Sequence, residues 1–156
     1  MSKSYDKKAP CWGVICEVDV SPLVALLDAG KVAWRPVKGM QPNPSTPLLP
    51  PEALPIIAEI CRHLGTGVTH RAAHLSRIVP GVTYIYHLDG QPSNWITRVH
   101  VPIKTSPDCW FMWEEQGTKV FMDRGKAYSF NTMKHHNYGN DGKTDRVHLM
   151  FDALQE

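Results

Sequence analysis

The sequence predicts a mainly β domain of the α+β class, with two N-terminal helices packed on the outer face of one sheet. Beyond residue 75, short apolar runs recur between glycine, proline, aspartate and asparagine residues, a spacing typical of a β sandwich or barrel. Before that point, one segment carries apolar residues at the spacing of an amphipathic helix. The length of 156 residues fits a single domain, 1–156, that is long enough to bury a core.

The first thirty residues are predicted to contain a strand and a short helix. Residues 1–10 are polar and are expected to be a flexible terminus. The alternation in 12–20 predicts a strand. Ser21 followed by Pro22 predicts the cap and the first position of a helix, which Gly30 ends.

A proline-rich loop and a second helix complete the N-terminal section, 11–70. The segment 39–51 holds five of the thirteen prolines and is predicted to be a loop. The helix after it is ended by Gly65 and Gly67. Its predicted apolar stripe comprises Leu54, Ile57, Ile60, Cys61 and Leu64.

Eight strands are predicted in the remainder of the chain. They lie near 75–79, 82–88, 97–104, 109–114, 118–122, 126–131, 134–138 and 146–152.

Two of these strands carry basic and titratable residues on one face. Near 97–104, the apolar residues share one face, and Arg98 and His100 share the other. Near 146–152 the pattern repeats, with Arg146 and His148 on the polar face. A sheet with helices on its apolar outer face and a cavity on its polar inner face explains this alternation. Simple solvation of the polar faces is the alternative.

Four residues suggest an iron site. His87 and Asp89 close an apolar, strand-like run, and side chains two residues apart on a strand point to the same side. With His136 they supply two imidazoles and one carboxylate, the facial triad of non-haem Fe(II) oxygenases, which leaves positions open for an oxidant and a co-substrate. Arg146 is suited to clamp a carboxylate through two parallel hydrogen bonds. The set suggests an iron oxygenase that uses a keto acid.

Three stretches of the chain resemble a known family. They are IVPGVTYIYHLDG, RVHVPIKTSPDCWF and GKAYSFNTMKHHNYGNDGKTDRVHLMFD, and their order and spacing make the combination specific. The chain resembles the aspartyl/asparaginyl β-hydroxylase family, which includes bacterial proline cis-hydroxylases. The resemblance implies a dioxygenase that depends on Fe(II) and 2-oxoglutarate. It also implies that 75–154 is a double-stranded β-helix, a jelly roll of the cupin-like kind.

The resemblance implies roles for individual residues. His87 and Asp89 match the family's His-x-Asp metal pair, and His136 matches its distal metal histidine. Arg146 matches the arginine that binds the distal carboxylate of 2-oxoglutarate. Two further residues match the Arg-x-His pair that also contacts the co-substrate, namely Arg98 and His100.

The remaining histidines are not expected to bind the metal. His135 adjoins His136, and because neighbours on a strand face opposite sides, only one of them can be the ligand. The spacing favours His136 and leaves His135 at the surface. His148 either helps to orient the co-substrate or is a satisfied core histidine, and the second reading is favoured. A surface or structural role is expected for the rest of this group, His63, His70 and His74.

Composition narrows the range of partners. A formal net charge of +2 argues against a dedicated nucleic-acid or membrane surface, and no apolar run approaches membrane-spanning length. The four cysteines form no Cys-x-x-Cys pair and are read as reduced thiols of a cytoplasmic protein.

The expected function is hydroxylation, by dioxygen, of an amino acid or of an Asp, Asn or Pro side chain in a peptide. Selectivity is expected at the mouth of the barrel, where the aromatic candidates, each of which could instead belong to the core, are Tyr84, Tyr86, Trp95, Trp110, Trp113 and Tyr138. Two other classes stay open. One is a non-catalytic jelly-roll sensor of a metal or carboxylic acid, and the other is a zinc hydrolase, which has no need of a keto-acid clamp.

Overall fold

The computed structural model describes residues 9–35 and 45–156. Within them the chain forms β1 (Trp12–Glu17), α1 (Ser21–Asp28), α2 (Ala53–Leu64), β2 (Val68–Ile78), β3 (Trp95–Lys104), β4 (Cys109–Trp113), β5 (Lys119–Val120), β6 (Lys126–Phe130), β7 (His136–Asn140) and β8 (Arg146–Gln155). Two predicted features lie partly outside the described residues. They are the polar terminus, at residues 1–8, and the proline-rich loop, at residues 39–44.

The strands form two antiparallel sheets. The larger sheet has the order β1-β6-β3-β8-β2, and the smaller has the order β5-β4-β7. The segment 81–89 runs along the outer side of β7 and is bonded to it through the backbone. The predicted mainly β fold with two helices and antiparallel sheets is therefore confirmed.

Both helices pack on one face of the larger sheet, as predicted. The apolar residues that alternate along β3 and β8 face the helices and are buried there. The resulting core includes Leu23, Ala53, Ile57, Ile60, Val99, Val101, Ile103, Val147, Leu149 and Phe151. Burial of one large apolar side chain, such as leucine, isoleucine or phenylalanine, stabilises the fold by about 1.5–3 kcal/mol. This packing fixes the orientation of β3 and β8, and it turns their polar residues to the opposite face.

A second core contains residues from both sheets and is mostly aromatic. Its buried members include Ile78, Phe111, Trp113, Tyr128, Phe130 and Tyr138. Phe111 of this core contacts three buried polar residues of the inner face, His100, Arg146 and His148.

The predicted strand at 82–88 is irregular in the structure. The amide of Tyr84 donates to the carbonyl of Tyr138 at 2.9 Å, and the amide of His87 donates to the carbonyl of His136 at 3.0 Å. Three steps along this segment thus match two steps along β7, which is the signature of a β-bulge. The prediction of a regular strand was wrong, although the segment does lie in the sheet.

Three other details differ from the predictions. Strand β2 begins at Val68 and not near residue 75. Its first residues are mostly polar and do not predict a strand, and their pairing with β8 defines it. Helix α1 begins at Ser21 itself, and the Ser21 hydroxyl bonds to Asp19 instead of capping the helix. Leu54 of α2 is half exposed, because the buried stripe of that helix runs through Ala53 and Ile56 instead.

The two described helices are both too short to cross a bilayer.

Candidate metal centre and co-substrate pocket

The three predicted metal ligands meet at one point in the structure. One ligand atom from each of His87, Asp89 and His136 lies within 4.8 Å of the others. The Nε2 atom of His87 is 3.9 Å from Asp89 Oδ1, and that of His136 is 3.8 Å from Asp89 Oδ2. Among the described residues, this is the one group of three or more such side chains with this geometry. Two imidazoles and one carboxylate are a donor set that suits Fe(II).

Backbone pairing between two neighbouring segments brings the ligands together. His87 and His136 face each other across an antiparallel bridge, with reciprocal N–H···O bonds of 3.0 and 3.2 Å. The amide of Asp89 donates to the carbonyl of Thr132 at 3.0 Å, which fixes the chain two residues further on. The ligands therefore stand on paired backbone, which holds their relative positions.

Both imidazole rings are oriented by a hydrogen bond to a backbone carbonyl. The Nδ1 atom of His87 lies 2.9 Å from the carbonyl oxygen of Ile85, and that of His136 lies 2.8 Å from the carbonyl oxygen of Lys134. Because a carbonyl only accepts, Nδ1 is the donor in each ring, and in the neutral ring Nε2 then keeps its lone pair. Burial also lowers the pKa of His136, which favours its neutral form. The hydrogen bonds thus select the tautomer in which Nε2 faces the metal position.

His135 lies away from this cluster. Its ring is exposed, and its Nδ1 atom is 2.8 Å from the carboxylate of Glu114. The choice of His136 over His135 therefore agrees with the placement of the two rings.

Arg98 contacts two carboxylates. Its Nη1 donates to Asp89 Oδ2 at 2.7 Å, while Nε and Nη2 donate to the two oxygens of the buried Asp152 at 3.0 and 3.3 Å. The indole N–H of Trp95 also donates to Asp152, at 3.2 Å. In this structure Arg98 therefore orients the candidate ligand Asp89, and its predicted contact with a co-substrate stays a prediction.

Arg146 is a buried cation, and the described part of the chain places no carboxylate beside it. Its side chain is almost fully buried, with the guanidinium carbon 4.7 Å from the centre of the Phe111 ring and 5.4 Å from that of Tyr138. Its Nε and Nη1 atoms have no hydrogen-bond partner among the described residues. Burial lowers its pKa to about 10. A buried charge of this kind is costly unless an anion pairs with it, so the site fits a carboxylate-bearing molecule.

His100 and His148 form a buried imidazole pair beside Arg146. Their Nδ1 atoms are 3.2 Å apart, so one ring donates and the other accepts. Burial, reinforced by the positive charge of Arg146, lowers the pKa of each well below its ordinary value, and both rings are neutral. The Nε2 atom of His148 has no partner in the described part of the chain, so the reading of His148 as fully satisfied was wrong.

The predicted site residues line one cavity. It has a volume of about 300 Å³ and includes His87, Asp89, Arg98, His100, His136 and Arg146 in its wall. Of the aromatic candidates, Tyr84 and Tyr138 also line it, whereas the wall does not include Tyr86, Trp95, Trp110 or Trp113. A larger cavity of about 770 Å³ near Trp34 contains none of the candidate ligands and is set apart from the site.

Four polar side chains of the cavity wall were missed by sequence reasoning. They are Ser45, His74, Ser76 and Thr132. His74 had been given a surface or structural role, but it pairs with Met150 of β8 and alternates with Leu75, which is buried in the outer core, so its ring lies on the inner face.

The chain matches a family model described as aspartyl/asparaginyl beta-hydroxylase over residues 30–156. The match begins well before the stretches that carried the resemblance, so it includes the second helix and β2. No curated protein matches the chain.

Solved structures share the fold at low sequence identity. A 2OG-Fe(II) oxygenase family oxidoreductase from Burkholderia pseudomallei is 14% identical with a TM-score of 0.65, over 87% of this chain and 79% of that one. A viral collagen prolyl hydroxylase from Paramecium bursaria Chlorella virus-1, in complex with 2OG, is 14% identical with a TM-score of 0.65, over 95% and 97%. A prolyl-4-hydroxylase from Pseudomonas putida is 14% identical with a TM-score of 0.64, over 94% and 93%.

The family model spans most of the chain, and the predicted family and class of enzyme are confirmed. The chain therefore belongs to the aspartyl/asparaginyl β-hydroxylase family, a family of oxygenases whose metal is Fe(II) and whose co-substrate is 2-oxoglutarate.

Proposed function

We propose that this protein hydroxylates an amino acid, either free or as an Asp, Asn or Pro residue of a peptide, with Fe(II) held by His87, Asp89 and His136. One observation carries the proposal. Two imidazoles with fixed protons converge with a carboxylate, beside a buried guanidinium that has two unpaired nitrogens. Family membership supports the same reading.

The residues around the metal position have distinct roles in this proposal. Arg98 holds the Asp89 carboxylate in place while its other nitrogens bind Asp152. Arg146 pairs with the distal carboxylate of 2-oxoglutarate, which satisfies its Nε and Nη1 atoms. His100 presents a neutral ring to the cavity, so it adds no second positive charge next to Arg146.

Bound Fe(II) supplies the oxidising chemistry, in which dioxygen and 2-oxoglutarate give succinate, carbon dioxide and one hydroxyl group on the substrate. The protein contributes position and exclusion of water. The aromatic rings of Phe111, Phe130 and Tyr138 close the inner end of the cavity, so charged groups inside it interact strongly. The substrate reaches the metal from the side of the cavity that these rings leave open.

The proposal extends to the fold family and to the cellular location of the protein. We take the two sheets to be the double-stranded β-helix of the family, acting with the N-terminal elements as one domain, because β1 belongs to the larger sheet and both helices pack on that sheet. Four free cysteines agree with a reducing, cytoplasmic location.

Two rival functions lead to different observations. A zinc hydrolase would gain nothing from the unpaired Arg146, so this residue argues against it. A non-catalytic sensor would keep the same cavity and bind the same acid, and turnover alone separates it from an enzyme.

Succinate formation tests the proposal. The protein with Fe(II), 2-oxoglutarate and air is expected to form succinate slowly without substrate, and faster when a panel of free amino acids and Asp-, Asn- or Pro-containing peptides is added. Controls without iron and with His87→Ala should give none above background. Background-level succinate from a protein shown to bind both iron and 2-oxoglutarate would establish the sensor instead.

A further inference from the structure

Strand β2 contains a bulge that places two polar side chains, Arg71 and His74, on the same face of the sheet, and His74 lines the cavity. Arg71 pairs with Asp152 of β8, and His74 pairs with Met150, with an irregularity between them. Residues three apart on a regular strand point to opposite faces, whereas Asp152 and Met150, two apart, share the inner face. The bulge corrects this mismatch, so Arg71 and His74 lie side by side on the inner face.

The bulge is held in a conformation that most residues avoid. Ala72 has a φ of 56°, the one positive value at a non-glycine position among the described residues. Such a conformation costs of order 1 kcal/mol or more and is found where surrounding contacts enforce it, often at functional sites.

His74 is oriented in the same way as the two candidate metal ligands. Its Nδ1 atom lies 2.8 Å from the carbonyl oxygen of Ala72, so Nδ1 is the donor. The ring lines the cavity, and its Nε2 atom has no partner within the described residues. In the neutral ring this atom is a hydrogen-bond acceptor, and it lies too far from the metal ligands to belong to their cluster.

Arg71 lies on the inner face next to Asp152 and Gln91, and it is weakly held. Its Nη2 atom makes two long contacts, 3.4 Å to Asp152 and 3.3 Å to the side-chain oxygen of Gln91, and the side chain is 48% exposed. Gln91 in turn donates to the cavity residue Thr132 at 3.2 Å. Asp152 already accepts two hydrogen bonds from Arg98, so it only partly neutralises Arg71.

The charges of the inner face leave one cation for the substrate. Three guanidinium groups, those of Arg71, Arg98 and Arg146, face two carboxylates, those of Asp89 and Asp152. The charges of Fe(II) and of the 2-oxoglutarate dianion cancel each other. Because Arg98 bridges both carboxylates and Arg146 is assigned to 2-oxoglutarate, Arg71, whose one ion pair is a 3.4 Å contact with Asp152, is the least neutralised of the three cations.

We propose that Arg71 and His74 recognise the backbone groups of a free α-amino acid, Arg71 binding its α-carboxylate and His74 Nε2 accepting a hydrogen bond from its α-ammonium group. A donor and an acceptor side by side match the two groups that an amino acid carries on one carbon. A cavity of about 300 Å³ that also holds 2-oxoglutarate leaves room for a small substrate. The inference rests on the proposed oxygenase function and names its substrate class.

Matched ligands test the two contacts separately. Free L-amino acids that raise succinate formation are compared with their α-amides, which lack the carboxylate, and with their desamino acids, which lack the amine. Each change is expected to raise the KM at least tenfold, and anaerobic calorimetry with Fe(II) and 2-oxoglutarate present should show the same loss in binding.

Variants of Arg71 and His74 show whether these residues distinguish an amino acid from its amide and desamino analogues. Arg71→Gln should bring the acid and amide KM values together, and His74→Leu should do the same for the amine and desamino pair. In both variants the far-UV circular dichroism spectrum and the thermal unfolding midpoint should stay at the wild-type level, which reports an intact fold. The controls are Arg77→Gln and His70→Gln, on the same strand. Arg77 pairs with Asp145 and His70 packs on Phe151 of the outer core, so both variants should discriminate as the wild type does.

Three results would overturn the inference. They are stimulation by no free amino acid, equal stimulation by end-blocked peptides or amides, and unchanged discrimination in Arg71→Gln and His74→Leu. A wild-type protein that forms no succinate at all would instead overturn the proposed function, so the two failures can be told apart.

Discussion

His136→Ala is expected to abolish stable Fe(II) binding and all succinate formation. The substitution removes one of three protein ligands and leaves a single imidazole with the Asp89 carboxylate. Fewer ligands and a vacated, buried coordination position both weaken the site. Iron retained after gel filtration, together with succinate formed under air, measures the effect.

His135→Ala is the matched control, because it removes an imidazole one residue away. His135 is exposed and contacts Glu114, so this variant should keep iron and activity near the wild-type level. Equal losses in the two variants would mean that unfolding of the segment, rather than ligand loss, explains the result. Loss of iron and activity in His135→Ala alone would show that His135, and not His136, is the ligand.

Arg146→Lys is expected to raise the KM for 2-oxoglutarate at least tenfold, on the order of 1.4 kcal/mol. Lysine keeps the positive charge but loses the planar fork that binds a carboxylate with two parallel hydrogen bonds. The buried site between Phe111 and Tyr138 is shaped for a flat guanidinium, which lysine does not replace. Initial rates of succinate formation over a series of 2-oxoglutarate concentrations measure the change.

Arg62→Lys provides the comparison for this variant. Arg62 is exposed on α2 and pairs with Glu59, so its replacement should leave the KM for 2-oxoglutarate unchanged. A wild-type KM in Arg146→Lys would show that Arg146 does not bind the co-substrate, whatever its burial.

The outer face of the larger sheet could be predicted because its signal is local. Val99, Val101 and Ile103 alternate with polar residues, and this period of two is enough to identify the buried face. The convergence of His87 with His136 could be proposed from motif and spacing, and the structure shows both rings at one point. Their role as ligands stays a prediction.

The details that the sequence did not reveal depend on tertiary pairing. Arg98 was assigned to the co-substrate, but it bonds to Asp89 on an irregular segment and to Asp152 on β8, 54 residues away, and both contacts depend on how these segments pack together. Arg71 shares the inner face with His74 only because of a bulge at Ala72, and alanine gives no hint of a positive φ. The missing partner of His148 Nε2 likewise becomes visible only when its neighbours are placed. Neither a residue period nor a motif encodes such contacts.

The central claim is that one cavity holds Fe(II) on His87, Asp89 and His136 and 2-oxoglutarate on Arg146. Visible absorption under anaerobic conditions tests it most directly, because a keto acid chelated to Fe(II) gives a charge-transfer band that neither component gives alone. We expect the band to appear when 2-oxoglutarate is added to the iron-loaded protein, to be absent in His87→Ala, and to require at least tenfold more 2-oxoglutarate in Arg146→Lys. A wild-type protein that binds both iron and 2-oxoglutarate but shows no band, or a full band in His87→Ala, would contradict the account.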